Sequence, residues 1–242
     1  MDLQDKRIVI TGGTRGIGRA IAEAASEQGA RVLACGSRPS SVRRFADETG
    51  IDALCCDVAE AEDVEALAHA VASRFGVLDV LINCAAIQRE VDLVRAADLG
   101  EIEHELAVNL LGPIRVTQAL LEPLLSAPQA VVVNVTSVLA LVPKKRAPIY
   151  CASKAGLASW TRALRDQLHP HGVRVMELVP PVVATDMAGD RAAGAIDPTV
   201  VAKACLEGVA RGRTCVAVGQ AHLGRALYRI APGLLARMLR DG

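Results

Sequence analysis

Three residues of types that can move a proton lie at a defined spacing. Tyr150 and Lys154 are four positions apart in the segment YCASK, and Ser137 precedes the tyrosine by thirteen residues. In a helix, residues four apart share one face. A tyrosine has an unperturbed pKa of about 10, and a nearby ammonium lowers it toward the working range. Tyr150 alone fits a packing role and Lys154 alone a surface role, but together they predict proton exchange with a substrate oxygen that Ser137 orients.

A glycine-rich segment, TGGTRGIG at 11–18, follows the first apolar run and opens a helical pattern. Gly12 permits a tight turn, while Gly16 and Gly18 let backbone approach a pyrophosphate and let the helix pack closely on the strand. The helix N-terminus adds free N–H groups and partial positive charge. Because the loop joins a strand to a helix, it predicts a dinucleotide site rather than a plain turn. The expected contacts are Thr11, Gly12, Thr14, Arg15, Gly16, Ile17 and Gly18.

The end of the second predicted strand bears on the choice between NAD and NADP. An NAD site usually has Asp or Glu there for the ribose 2′-hydroxyl, but this chain has Cys35-Gly36-Ser37-Arg38. Arg38 and Arg15 can pair with a 2′-phosphate that a carboxylate would repel. The alternative is that both arginines are solvated charges at helix starts. NADP is therefore expected over NAD. Asp57 and Val58 follow the third strand, where Asp57 either accepts from the adenine amino group or caps the next helix.

Composition narrows the class of protein. The 242 residues are 51% hydrophobic with five aromatic residues, and the formal net charge is zero, which argues against nucleic-acid binding. Seven scattered cysteines lack metal-ligand spacing, so no metal site is predicted and reduced thiols are expected. The charged N-terminus does not resemble a signal peptide, and no apolar run is long enough to span a membrane. A cytoplasmic protein is expected.

Short β-branched runs alternate with helical patterns along the whole chain. Strands are predicted at 7–11, 31–35, 52–56, 79–83, 130–135, 173–179 and 214–217. Gly29 and Gly76 are predicted to end helices, and Asp197-Pro198 to begin one that runs to about 211. These features predict a single α/β domain, a doubly wound Rossmann-type fold of about seven parallel strands with helices on both faces. Residues 1–95 form mainly the cofactor half, 96–185 the catalytic half, and 186–242 the substrate loop and C-terminal region.

Together these motifs resemble the classical short-chain dehydrogenase/reductase family over about residues 6–185, with the bacterial DltE-like branch nearest. The resemblance implies that Tyr150 is the general acid/base and that Lys154 binds the nicotinamide ribose. Ser137 would orient the carbonyl. The other implied positions are Asn109 on a water that links Lys154 to a proton relay, Asn83 beside the cofactor, and Pro180, Val183 and Thr185 near the carboxamide. It also implies a homodimer or homotetramer built from helices around 101–125 and 150–169.

Two positions depart from the family pattern. Ala86 replaces a glycine that allows close cofactor approach, and Pro181 restricts the turn after the sixth strand. Neither departure removes a predicted catalytic group. The predicted function is hydride transfer between NADP(H) and a carbonyl or secondary alcohol. A cofactor-binding sensor or scaffold with little catalysis, and epimerase or dehydratase chemistry, remain as alternatives.

The substrate is less defined by the sequence. If the apolar residues that follow Ser137 and Pro180 line its pocket, an apolar carbonyl compound is favoured over a charged one; these are Val138, Leu139, Leu141, Val142, Pro181 and Val182. Lys144, Lys145 and Arg146 form either a solvated loop or an attractive surface for an acidic substrate. The segment 186–196 is either a surface loop or a substrate lid. The amphipathic segment 225–240 is expected to pack against the core or a subunit, with membrane-surface association as the alternative.

Overall fold

A computed structural model describes residues 1–92, 94, 98–187, 195–230 and 233 of the chain. Seven parallel strands form one sheet in the order β3-β2-β1-β4-β5-β6-β7. The strands are β1 (Arg7–Thr11), β2 (Arg31–Gly36), β3 (Asp52–Cys55), β4 (Val80–Asn83), β5 (Ala130–Val135), β6 (Val173–Val179) and β7 (Cys215–Ala217). This order reverses between β1 and β4, as expected for a doubly wound sheet. The predicted fold class is confirmed, and each predicted strand lies within one residue of an observed one.

Helices connect successive strands. They are α1 (Gly16–Glu27), α2 (Pro39–Thr49), α3 (Ala61–Arg74), α4 (Leu99–Leu106), α5 (Gly112–Ala119), α6 (Leu121–Leu125), α7 (Pro148–Leu168), α8 (Pro198–Ala210) and α9 (Ala221–Ile230). A π-helical turn at Ala107–Leu111 joins α4 to α5, so the region expected as one long helix at 101–125 is a series of shorter segments. Within the described residues, no helix is both long enough and apolar enough to cross a membrane.

The predicted helix ends agree with the backbone. Gly29 and Gly76 have positive φ, at 79° and 67°, and each follows the last turn of its helix. At Gly29 the termination is a Schellman motif, since the next N–H, that of Ala30, returns to the Ala25 carbonyl at 3.1 Å. Asp197 caps α8 by accepting from the Thr199 N–H at 2.8 Å, with Pro198 at the first helical position.

Alternate residues along each strand supply two apolar layers. Ile8, Ile10 and Ile82 pack toward α1 and α8, whereas Val9 and Leu81 pack toward α3, α5 and α7. Burial on both faces explains why the strands are continuous apolar runs. Because both layers are largely apolar, the groups with free polar atoms lie mostly near the ends of the strands.

One buried carboxylate stands at the opposite end from the site, just before β4. Asp79 accepts from both the backbone N–H and the Nε of Arg7, at 3.0 and 2.6 Å, and Lys6 Nζ lies 3.5 Å from its other oxygen. Burial raises the pKa of Asp79, but the hydrogen bonds from Arg7 outweigh it and the net pKa is lowered. The carboxylate therefore fastens the start of β4 to β1, the two strands that flank the reversal of order.

Asp79→Asn is expected to reduce the free energy of unfolding by about 2 kcal/mol, because charge-assisted hydrogen bonds in a buried place are lost. Since the folded-state pKa lies below the unfolded value, the difference from wild type should be full at neutral pH and shrink as the pH falls below about 4. Urea unfolding at several pH values measures both. Asp52→Asn is the control, since its ion pair with Arg74 is exposed and should contribute about 0.5 kcal/mol or less. Equal effects of the two substitutions would refute the role of Asp79.

Candidate active site

A groove runs along the carboxyl ends of the strands, at the point where strand order reverses. Its walls come from the glycine loop, the ends of β2 and β3, the loop after β4, the start of α7 and the segment after β6. Of the predicted site residues, the groove is lined by Gly12, Thr14, Arg15, Gly16, Ile17, Gly18, Ser37, Arg38, Asp57, Val58, Tyr150, Lys154, Pro180 and Thr185. Open parallel sheets bind ligands at this location.

The glycine loop is built for close backbone approach. A Cβ on Gly18 would lie 2.2 Å from the Gly12 carbonyl oxygen, and a Cβ on Gly12 would lie 2.8 Å from the Ala85 Cα. Gly12 and Gly16 have positive φ, at 64° and 54°. Thr11 lies behind the loop, where its hydroxyl accepts from the N–H groups of Cys84 and Ala85. The loop therefore presents bare backbone and the N-terminus of α1 to the groove.

The far end of the groove is cationic. Arg15 immediately precedes α1, and Arg38 immediately precedes α2. Both arginines line the groove, as does Ser37, which lies between the end of β2 and Arg38. Ser41, which the sequence analysis did not identify, lines the same end. Asp57 is not the cap of α3, since that position belongs to Glu60; instead its carboxylate accepts from the Ala59 N–H at 3.0 Å. The helix-cap interpretation of Asp57 is thus wrong.

Tyr150, Lys154 and Ser137 meet at the other end. Tyr150 and Lys154 are buried on one face of α7, and the Lys154 Nζ lies 5.7 Å from the centre of the tyrosine ring. The ammonium donates to the Val135 carbonyl at 2.9 Å, at the end of β5. Ser137, two residues further along, lies close enough to the Tyr150 phenol to lower its pKa, and it accepts from the Leu139 N–H at 3.1 Å. The predicted convergence of the three side chains is observed.

The pKa values of this cluster differ from the sequence-based expectation. Burial raises the pKa of Tyr150 to about 12, with the nearby Ser137 hydroxyl acting in the opposite direction. Burial likewise lowers the pKa of Lys154 to about 8. The expected lowering of the tyrosine pKa is wrong for this structure, because desolvation penalises the phenolate more than its surroundings stabilise it. Both groups are thereby biased toward their neutral forms.

Two asparagines predicted near the groove have their side chains engaged behind it. Asn109 lies in the π-helical turn, where its amide donates to the Ile87 carbonyl and to Ser153 Oγ and its oxygen accepts from the Ile87 N–H. Asn83 donates to Thr117 Oγ1 and to Asn134 Oδ1, at 3.1 and 2.8 Å. Neither side chain lines the groove. Asn83 therefore joins the strands to the helical layer, and Asn109 fixes the loop after β4 to α7.

The substrate side is only partly described. Val183 is buried and pairs with Ile196 instead of lining the groove, and Thr185 donates to its carbonyl. Val142 belongs to the core, whereas Val182 is exposed. In the basic cluster, Arg146 is paired with Glu90. The predicted lid falls largely on residues 188–194, outside the described residues, and so does most of the amphipathic segment 225–240, whose beginning belongs to α9.

One buried acid near the cluster was not found from the sequence. Glu105 in α4 is fully buried, and its carboxyl is close enough to Tyr150 and Lys154 to raise the pKa of both. Helical spacing could have placed it on the same face as Asn109, four residues later. Its burial could not have been found in this way, because Glu101 has the same spacing relation to Glu105 and is exposed.

Comparison with known proteins agrees with this architecture. The family model for short chain dehydrogenases matches residues 6–195. The uncharacterized oxidoreductase DltE of Bacillus subtilis is 33% identical over 189 residues, which cover 77% of this chain and 75% of that protein. This likeness agrees with the expected branch of the family.

Solved structures share the fold over the full length of the chain. A short chain dehydrogenase from Burkholderia cenocepacia, crystallised with NADP, has a TM-score of 0.88 at 26% identity and covers 100% of both chains. A short chain dehydrogenase/reductase from Burkholderia phymatum, crystallised with NAD, has a TM-score of 0.89 at 23% identity and covers 100% of this chain and 99% of its own. By the match of its sequence and the arrangement of its site, this chain belongs to the short-chain dehydrogenase/reductase family of oxidoreductases.

Proposed function

We propose that the protein is an NADP-dependent reductase that converts an apolar ketone or aldehyde to the alcohol, with Tyr150 as the proton donor. The observation that carries this proposal is that Tyr150 and Lys154 line one end of a groove whose other end is cationic, with Ser137 beside the Tyr150 phenol. A protein that merely sensed the cofactor would have no use for all three groups together.

The groove fits a dinucleotide. A Cβ at Gly18 or Gly12 would collide with the backbone of Gly12 or Ala85, so both positions need glycine and the bare loop can meet a pyrophosphate. At the other end, Arg15, Ser37, Arg38 and Ser41 can hold a 2′-phosphate, since the end of β2 offers cations and hydroxyls and no carboxylate. Proteins with this fold have been crystallised with NADP and with NAD, so the fold does not distinguish the two cofactors. The preference for NADP depends on these side chains.

When bound, the nicotinamide supplies the hydride. Tyr150 gives the proton to the substrate oxygen, and Ser137 hydrogen-bonds the same oxygen as charge develops on it. With a pKa of about 12, the phenol is protonated across the neutral range, and this is the form that the reduction uses. Lys154 donates to the Val135 carbonyl and keeps a positive charge beside the phenol. Asn109 holds α7 against the loop after β4.

The substrate pocket that we propose is apolar. Leu139 and Leu141 are half-buried in the segment after Ser137, and Val182, in the segment after β6, exposes half of its surface. The pairing of Arg146 with Glu90 weakens the case for an acidic substrate. We further infer a cytoplasmic homo-oligomer: all seven cysteines are free thiols, and the helices around 101–125 expose Leu111 and Leu125.

Tyr150→Phe is expected to lower kcat/KM for carbonyl reduction by about a hundredfold or more while NADPH binding is unchanged, because only the proton donor is lost. NADPH oxidation with a panel of aliphatic and aromatic ketones and aldehydes measures it. Tyr228→Phe, which alters the exposed tyrosine of α9, is the matched control and should retain full activity. Full turnover in Tyr150→Phe would overturn the mechanism, and NADPH binding without turnover of any carbonyl would favour the sensor.

The kcat/KM values of alcohol oxidation and carbonyl reduction should depend differently on pH. Alcohol oxidation needs the phenolate of Tyr150. Because the pKa of Tyr150 is about 12, the phenolate fraction still increases between about pH 7 and about pH 9, and kcat/KM for oxidation should rise over that range. Reduction needs the phenol and should lack this rise. Initial rates in both directions, in one buffer series, give the comparison. Oxidation that reaches its plateau near neutral pH would contradict a raised tyrosine pKa.

Arg38→Ala is expected to weaken NADPH binding by about tenfold to a hundredfold and to leave NADH binding nearly unchanged, since a charge-assisted contact to the 2′-phosphate is lost. Titration calorimetry with both cofactors measures the ratio of the dissociation constants. Arg43→Ala is the control, because Arg43 is an exposed arginine on the same helix, α2. A ratio unchanged in Arg38→Ala would refute the assignment of NADP preference to Arg38.

A further inference from the structure

The carboxyl of Glu105 is unusual for its burial. The residue is 0% exposed, and neither of its carboxyl oxygens forms a hydrogen bond of ordinary geometry within the described part of the chain. A buried carboxyl without such partners is costly, and natural cores rarely keep one without a use for it. Glu105 also lies outside the groove, so it does not serve as a contact for a ligand.

Its position connects it to the catalytic cluster. Glu105 lies at the end of α4, one helical turn before Asn109, and α4 packs on α7. From α7 it is faced by Tyr150, Cys151 and Lys154, and from the loop after β4 by Arg89. Cys84, at the start of that loop, faces Tyr150 and Lys154 in turn. The other ionisable side chains of α4 are Glu101 and Glu103, which are exposed, and His104, which lines the groove.

We propose that Glu105 is a positioning residue of the reaction, a third ionisable member of the catalytic cluster that acts through Lys154 and Tyr150. The inference deepens the proposed function and rests on it. A negative charge here stabilises the ammonium of Lys154 and opposes the phenolate of Tyr150, so it keeps the pair in the fully protonated state that donates a proton.

The electrostatics agree with this arrangement. Burial raises the pKa of Glu105, while the Arg89 amide, the Arg89 guanidinium and the Lys154 ammonium act against the rise. Glu105 in turn opposes the loss of the Lys154 proton that burial promotes. Perturbed ionisable groups that face one another beside a groove are a common feature of active sites. The same charge cannot be replaced by Glu101 or Glu103, since water screens both.

Lys154 offers a readout that does not depend on turnover. The chain has five lysines, and burial lowers the pKa of Lys154 to about 8. Its signal in protein labelled with ¹³C-lysine, assigned by its loss in Lys154→Met, should therefore titrate within the range where the protein is folded. In Glu105→Gln the midpoint is expected to fall by about half a pH unit or more, because the charge that stabilises the ammonium is removed.

Three further variants make the test decisive. Glu105→Met removes the charge without burying an amide and should cause the same fall, even if Glu105→Gln is too unstable to study. Glu105→Asp keeps the charge and should restore most of the wild-type midpoint. Glu103→Gln removes an identical charge from the exposed face of α4 and should leave the midpoint unchanged.

The outcomes separate this proposal from the proposed function. A midpoint that stays at its wild-type value in both neutral variants would overturn the role of Glu105, and so would an equal fall in Glu103→Gln. Neither result would bear on turnover by Tyr150. If the midpoint falls, the pH profile of alcohol oxidation should move to lower pH in the neutral variants, because the phenolate is then less opposed. A structural role alone would change stability and leave both profiles where they are.

Discussion

A chain of buried amide and hydroxyl hydrogen bonds fixes where the chemistry of this molecule can occur. Asn83 in β4 donates to Asn134 in β5 and to Thr117 in α5, and Asn134 in turn donates to Thr161 in α7 at 2.9 Å. Buried polar groups of this kind tolerate little displacement, since each lost partner costs the full desolvation of the other. These hydrogen bonds fix the position of α7 relative to the sheet. Because Tyr150 and Lys154 belong to α7, the same bonds fix where these two residues lie.

The site follows from this fastening and from the parallel sheet. Because the central strands are buried on both faces, most charged groups lie near the strand ends. At the carboxyl edge the backbone of the glycine loop and the carbonyl of Val135 are open to polar partners, and Lys154 uses the latter. At the amino edge the same constraint admits Asp79 only with Arg7 and Lys6 beside it. The two edges thus differ in how a buried charge is stabilised. At the amino edge Asp79 is paired with cations, whereas at the carboxyl edge Lys154 donates to a backbone carbonyl and its pKa is lowered.

Much of this arrangement could be predicted from the sequence. The strand pattern, the glycine loop and the Asp197 cap are local signals, and local signals survive into the structure. The direction of the Tyr150 pKa shift was predicted wrongly. Residue spacing shows that Lys154 is near, but it does not show how far water is excluded from the site. Glu101 and Glu105 share one helical spacing, yet only Glu105 is buried. The direction in which α4 crosses α7 decides which of the two residues packs against α7. That direction depends on tertiary packing, which the local sequence does not show.

The charges around α7 can be understood as a single balance. Burial favours the neutral forms of Tyr150 and Lys154, so it promotes the loss of the lysine proton and the retention of the tyrosine proton. A carboxylate beside them opposes the first effect and reinforces the second, so it favours the state in which both protons are present. That state suits a site that gives a proton to a carbonyl oxygen. Burying Glu105 with so few hydrogen bonds costs stability, and we infer that the residue is retained for its effect on the protonation of Lys154 and Tyr150.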